Sequence, residues 1–178
     1  MAEITNVYRQ DVGPLRFIGK KYGDADRING VFSNKWEEWF ANSWFVELEK
    51  LLEENIIEDY ADNDAHIGLM RHKDGEPFEY WIGMFMAPDT AAPEGFEFVD
   101  FPESSLGVCW VYGSNDGDVF MHEDKCARKL KEAGYEVITD EQGASWFFER
   151  YGCPRFTERD EKGNVTLDIC HYIKPNSV

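Results

Sequence analysis

The apolar positions along this chain switch between the period of a strand and the period of a helix. Val7 to Tyr22 carries Val12, Leu15, Phe17 and Ile18, and reads as a strand interrupted at Gly13-Pro14, since proline cannot donate to a ladder. A turn-rich stretch, Gly23 to Gly30, follows. From Ser33 to Leu52 the period becomes helical: Trp36, Phe40, Trp44, Leu48, Leu51 and Leu52 share one broad face, and Ser33 suits the N-cap. Ala65 to Lys73 and Glu76 to Ala87 predict two paired strands around Asp74-Gly75, a two-residue turn signal. The second of these is apolar on both faces. Phe78, Tyr80, Ile82, Met84 and Met86 form one, and Trp81, Gly83 and Phe85 line the other, so each face needs a layer against it.

The pattern then starts again. Pro88 to Gly95 is a linker. Phe96 to Tyr112 reads as strand with a break near Pro102, Asp118 to Ala133 as a helix ended by Gly134, and Trp146 to Tyr151 and Val165 to Ile173 as strands. The charged Thr157 to Gly163 connection reads as exposed. Tyr22-Gly23 stands about as far before Pro88 as Tyr112-Gly113 stands before Pro175, which marks a two-copy repeat. These observations predict an α+β fold. Tandem strand–helix–strand–strand modules with pseudo-twofold symmetry would form one curved antiparallel sheet with flanking helices. The expected organisation is a single domain over 1–178, with modules over about 5–89 and about 95–175.

The candidate chemistry gathers on Trp146-Phe147-Phe148-Glu149-Arg150-Tyr151. Strand alternation puts Phe147, Glu149 and Tyr151 on one face and Trp146, Phe148 and Arg150 on the other. Glu149 therefore sits between two rings, where a carboxylate needs a partner or a proton. A cation with an apolar body meets both needs, with cation–π attraction worth up to ~2 kcal/mol. An internal arginine or lysine, or an edge position in water, is the plainer alternative. Ligand sites favour module interfaces, and Tyr80, Trp81, Trp36, Trp39 and Trp110 are candidate walls. Three tryptophans in nine residues, Trp36 to Trp44, also suit ordinary core filling. His66 holds a place in the first module comparable to that of Glu149 and reads as a satisfied histidine.

Charge narrows the partners. The chain has 178 residues, with 18 basic and 35 acidic side chains and a net charge of −17. That disfavours direct nucleic-acid binding and draws cations weakly, or simply keeps the protein in solution. Glu53 to Asp64 holds six acids and no base, and lacks calcium-loop spacing. It reads as a solvated loop or frayed helix end. Four well-separated cysteines without a CxxC pair argue for reduced thiols in a cytoplasmic protein and against zinc. No membrane-spanning apolar run and no secretion signal is visible. Neither is a nucleophilic triad, a phosphate loop or a cofactor site.

Several features in order resemble the GyrI-like, or AraC-type effector-binding, domain family. They are the helix opening with Trp36; Tyr80-Trp81-Ile82-Gly83; Pro93-Glu94-Gly95-Phe96-Glu97-Phe98 leading into Phe101-Pro102; and Phe148-Glu149-Arg150-Tyr151 with Leu167-Asp168-Ile169 after it. Together they span most of the chain. The resemblance implies an aromatic cavity between the modules, with Glu149 on its floor and Tyr151 beside it. It is to the stand-alone members, which lack a DNA-binding arm. They have been linked to sequestration of hydrophobic cationic compounds, to action on a protein partner, and in one branch to hydrolysis of reactive cyclopropane-bearing compounds. For that branch Glu149 would be the general base and Tyr151 its helper. Ligand binding, hydrolysis and an acidic protein-interaction role all stay open.

Overall fold

A computed structural model describes residues 1–58 and 60–176. Asp59, one of the six acids of the Glu53–Asp64 run, and the last two residues of the expected domain, Ser177 and Val178, lie outside the described residues. Eight strands join one antiparallel sheet in the order β1-β6-β8-β7-β3-β4-β2-β5. The first half supplies β1 (Glu3–Val12), β2 (Leu15–Tyr22), α1 (Ser33–Ala41), α2 (Trp44–Glu54), β3 (His66–His72) and β4 (Glu79–Met86). The second supplies β5 (Glu97–Phe101), β6 (Ser104–Ser114), α3 (Glu123–Glu132), β7 (Ser145–Tyr151), α4 (Pro154–Thr157) and β8 (Asn164–Ile173).

Exchanging the two halves (β1 for β5, β2 for β6, β3 for β7, β4 for β8) turns the strand order into its own reverse, which is the expected pseudo-twofold relation. The axis passes between β3 and β7, where Gly68 is opposite Glu149. The halves also trade edge strands: β1 pairs with β6, and β5 pairs with β2. The two long expected strands are thus hinged pairs. Each breaks at a proline, Pro14 or Pro102, and its two parts join different halves of the sheet.

Four features depart from expectation. The helix over Ser33–Leu52 is two helices, broken at Asn42-Ser43, where Ser43 adopts a left-handed φ of 56°. The capping position is Phe32 rather than Ser33, without a side-chain cap. The β3–β4 connection is longer than a two-residue turn: Glu76 N–H bonds the Lys73 carbonyl at 3.1 Å, and Pro77 delays pairing until Glu79. The helix expected from Asp118 begins at Glu123, after a turn through residues 115–121.

The helices cover one face of the sheet. Trp39, Phe45 and Leu48 pack on Ile18, Ile82, Met84 and Met86, while Cys126 and Leu130 pack on Cys109, Val111, Leu167 and Ile169. The other face is covered by the sheet's own curl: Phe101 of the β5 edge strand stacks on Tyr172 of β8 with ring centres 5.1 Å apart. Close strand contact supports this curl. A Cβ on Gly83 would fall 2.1 Å from the Ile18 carbonyl oxygen, so only glycine fits there. Among the described residues no helix is long and apolar enough to cross a membrane.

Candidate functional site

The axis leaves a seam on the helical face, with α1 and α2 on one side and α3 on the other. Glu149 is on its floor and only 6% exposed. Among the described residues no lysine, arginine or histidine forms an ion pair with it. Its hydrogen-bond partner is instead the Tyr151 hydroxyl, which donates to Oε2. Met121, just before α3, has a left-handed backbone with φ 62°.

Burial, and then the negative charge of Glu123, raise the Glu149 pKa to about 8, against the lowering effect of the Tyr151 hydrogen bond. The carboxyl is therefore largely protonated at neutral pH. Tyr151 and Tyr80 are both pushed well above the usual phenol range, by burial first and by the charge at Glu149 next. Neither ionises near neutrality.

Aromatic rings fill the space above this floor. Trp36 Nε1 donates to Tyr80 Oη at 2.9 Å, Phe32 stacks on Tyr80 at 4.2 Å, and Trp36 meets the Tyr151 ring edge-on at 5.0 Å. Gly68, opposite Glu149, makes room for them: a Cβ there would lie 2.7 Å from Tyr80 Oη and 3.4 Å from the Trp36 ring. Phe147 lies over His171 at 5.3 Å. His171 is buried, its Nε2 is 3.0 Å from the Glu123 carbonyl oxygen, and burial lowers its pKa to about 4. The rings pack on one another. Hollows of about 340 and 600 Å³ open elsewhere, the first beside Lys21, Arg71 and Glu79 and the second beside Arg128, Lys131 and Tyr135.

Of the expected residues, Glu149, Tyr151, Phe147, Tyr80 and Trp36 come together. Three others do not. Trp39 is 0% exposed inside the helix–sheet core, its Nε1 bonded to Tyr22 Oη at 2.9 Å. Trp81 and Trp110 are on the opposite face, because Trp81 pairs through Leu69 to Phe148, and Trp110 pairs with Asp168, the partner of Arg150. They pack in the cluster of Phe17, Phe85 and Phe148. His66 faces the seam but is satisfied by Glu49 at 3.0 Å and stacks on Phe45. The residue sequence reasoning missed is Glu123. An acid in the first turn of a helix reads as a dipole partner, and nothing local shows that its charge acts on Glu149.

Arg150, next to Glu149, has the opposite environment. It is 0% exposed, bonds Asp168 at 2.7 and 2.9 Å and Gln10 at 3.0 Å, and has Asp62 at 3.3 Å. Arg155 joins through Asp168 Oδ1 at 2.7 Å.

This architecture, a pseudo-symmetric curled sheet with helices flanking a central seam, fits the GyrI-like effector-binding fold that the sequence resembles. Its solved counterparts include a putative transcription regulation protein from Staphylococcus aureus MU50, with TM-score 0.61 and 15% identity over 96% of this chain and 99% of that one. Another is SAV2435 bound to tetraphenylphosphonium, with TM-score 0.62 and 14% identity over 96% and 94%. An integron cassette protein from Vibrio cholerae is also similar, with TM-score 0.50 and 13% identity over 97% and 99%. No protein-family model and no curated protein sequence matches the chain.

Proposed function

We propose that the protein is a small-molecule-binding, regulator-like domain that takes hydrophobic aromatic cations at the seam over Glu149. The observation that carries this reading is a buried carboxyl with aromatic neighbours and no cationic partner among the described residues. In the free protein a proton neutralises Glu149. A cation supplies the same neutralisation and adds apolar area and ring contacts, so it takes the place of the proton. The rings that now close the seam, Trp36 and Tyr151, move apart to admit it. Tetraphenylphosphonium, the ligand held by a protein of the same fold, has this chemistry. Titration with tetraphenylphosphonium, followed by tryptophan fluorescence, is the direct test. Saturable binding is expected, weakened about tenfold or more by Glu149→Gln. No response at high micromolar ligand, or equal binding by the variant, refutes the reading.

A second reading, hydrolysis of reactive cyclopropane-bearing compounds, draws on the Glu149–Tyr151 hydrogen bond. A carboxylate with its pKa raised toward neutrality is a competent general base toward water, and Tyr151 would orient that water. Product formation from an electrophilic cyclopropane separates the two readings. Saturable binding without turnover rejects hydrolysis for that class.

A further inference from the structure

The two halves do not cover the seam alike. In the first, α1 stands between β2 and α2 in the chain; in the second, only the turn through residues 115–121 and His122 separate β6 from α3. A helix carrying Trp36 therefore serves one half, and a turn carrying Phe120 and Met121 takes the corresponding place in the other. That turn borders the seam by direct contact: the Phe120 ring lies 6.3 Å from the Tyr151 ring, which Trp36 meets at 5.0 Å.

Met121 is costly where it stands. Its φ of 62° is in the left-handed region that most side chains avoid. At every other positive-φ position among the described residues the chain has glycine, or the short polar side chains of Asn29, Ser43 and Asp89. Met121 is also 75% exposed. The turn is nonetheless held at both ends. Val119 is fully buried, His122 Nε2 lies 2.7 Å from the Asp118 carbonyl oxygen, and the His122 carbonyl accepts the Cys126 N–H at 2.8 Å. Glycine or asparagine would make the same turn without the strain and without apolar area in water. Packing therefore gives no reason for a methionine here, and strain of this kind gathers at ligand-contacting positions.

A methionine side chain is unbranched, turns about three bonds and carries a polarisable sulfur that is attracted to aromatic rings. It can cover an aromatic guest without demanding one fixed shape. We propose that Met121 is a specificity-determining residue of the seam, whose thioether folds over a bound cation and favours aryl over alkyl substituents. This inference rests on the cation-binding reading above. Glu149 answers the charge, Trp36 and Tyr151 contact the rings from within, and Met121 covers them from the solvent side.

Tetraphenylphosphonium and tetrabutylphosphonium test it, since they share one charge and one tetrahedral centre and differ in aryl or alkyl substituents. The full-length protein is titrated with each in the wild type, Met121→Gly and Met121→Leu, and each protein is melted without ligand. The wild type is expected to prefer the aryl cation. Met121→Gly lowers the aryl affinity about fivefold and the alkyl affinity less than twofold, while Met121→Leu, which keeps apolar bulk without sulfur, retains part of the preference. The Met121→Gly melt is expected to match or exceed that of the wild type, because the strained φ suits glycine. A purely structural role would instead lower the melting temperature and change both cations alike. That result, equal binding of the two cations by the wild type, or an unchanged ratio in Met121→Gly, overturns the inference and leaves the cation-binding reading standing. Failure of both cations to bind the wild type overturns both.

Discussion

Replacing Glu149 by glutamine removes its ability to ionise and keeps its shape. The amide oxygen can accept from Tyr151 as Oε2 does. The sign of the effect follows from the raised pKa. The folded state holds the Glu149 proton to about pH 8, against an ordinary carboxyl value of 4.5. Folding is therefore unpenalised below about pH 4.5, and stability is lost progressively as pH climbs to about 8. The full span corresponds to a ceiling of about 5 kcal/mol at 1.36 kcal/mol per pKa unit. Rotation of Glu123 toward water and entry of solvent reduce this to ~2–3 kcal/mol, or a Tm change of roughly 5–10 °C for a chain of this size.

Urea unfolding at pH 5 and pH 8.5, followed by tryptophan fluorescence, reads the difference. His171 acts on the acid side. Its pKa is lowered to about 4 from 6.5, so its contribution is complete above pH 6.5 and lost as pH falls through 4. Because His171 is present in both proteins, its term cancels in the comparison. Glu149→Gln is expected to match the wild type at pH 5 and to exceed it by ~2–3 kcal/mol at pH 8.5. Identical pH profiles, or a glutamine variant less stable at pH 8.5, would show that Glu149 is charged and needed in the free fold, and would refute the reasoning.

Two further outcomes follow from the same geometry. If a cation replaces the proton on Glu149, tetraphenylphosphonium affinity rises about tenfold per pH unit from pH 6 toward 8 and then levels. Calorimetry in buffers of different ionisation enthalpy then detects release of about one proton at pH 6–7; a flat profile without proton release sinks this exchange. On the other face, Arg150→Ala leaves the fully buried Asp168 with Arg155 alone and is expected to cost ~3–5 kcal/mol in urea unfolding, whereas a loss below about 1 kcal/mol would mean the network is ornamental.

The repeat, the linker and the aromatic strand around Glu149 were legible because each is written in local periodicity. The exchange of edge strands was not. Pro14 and Pro102 show that a strand breaks, but where its two parts then pair is decided by contacts distant in sequence. The helix break was hidden for a different reason: the Trp36-to-Leu52 face keeps its period across Ser43, whose left-handed backbone leaves no strong mark in sequence. The walls of the site failed on parity. Tyr80 and Trp81 are adjacent, and only the register sends one toward Phe147 through Met70 and the other toward Phe148 through Leu69. Within β7 the alternation needed no partner, so the Glu149 and Arg150 faces could be read directly.

Those two neighbours carry the strongest physical argument for a site. Arg150 and Arg155 both converge on Asp168, although the chain has nearly twice as many acids as bases. Glu149, one residue away and almost as deeply buried, receives no guanidinium, because strand alternation turns Arg150 to the opposite face. A fold that needed only a polar hydrogen-bonding group at this position could use glutamine and avoid the penalty that grows toward pH 8. Retaining an ionisable group where an amide is expected to be more stable gives no advantage to packing. It gives one when a positive charge arrives from outside, because the carboxyl can then release its proton and become the counter-ion. Perturbed groups of this kind mark functional positions when they also sit in a cleft with suitable neighbours. Trp36, Tyr80 and Tyr151 are those neighbours, and no other buried carboxyl among the described residues has them without a base beside it.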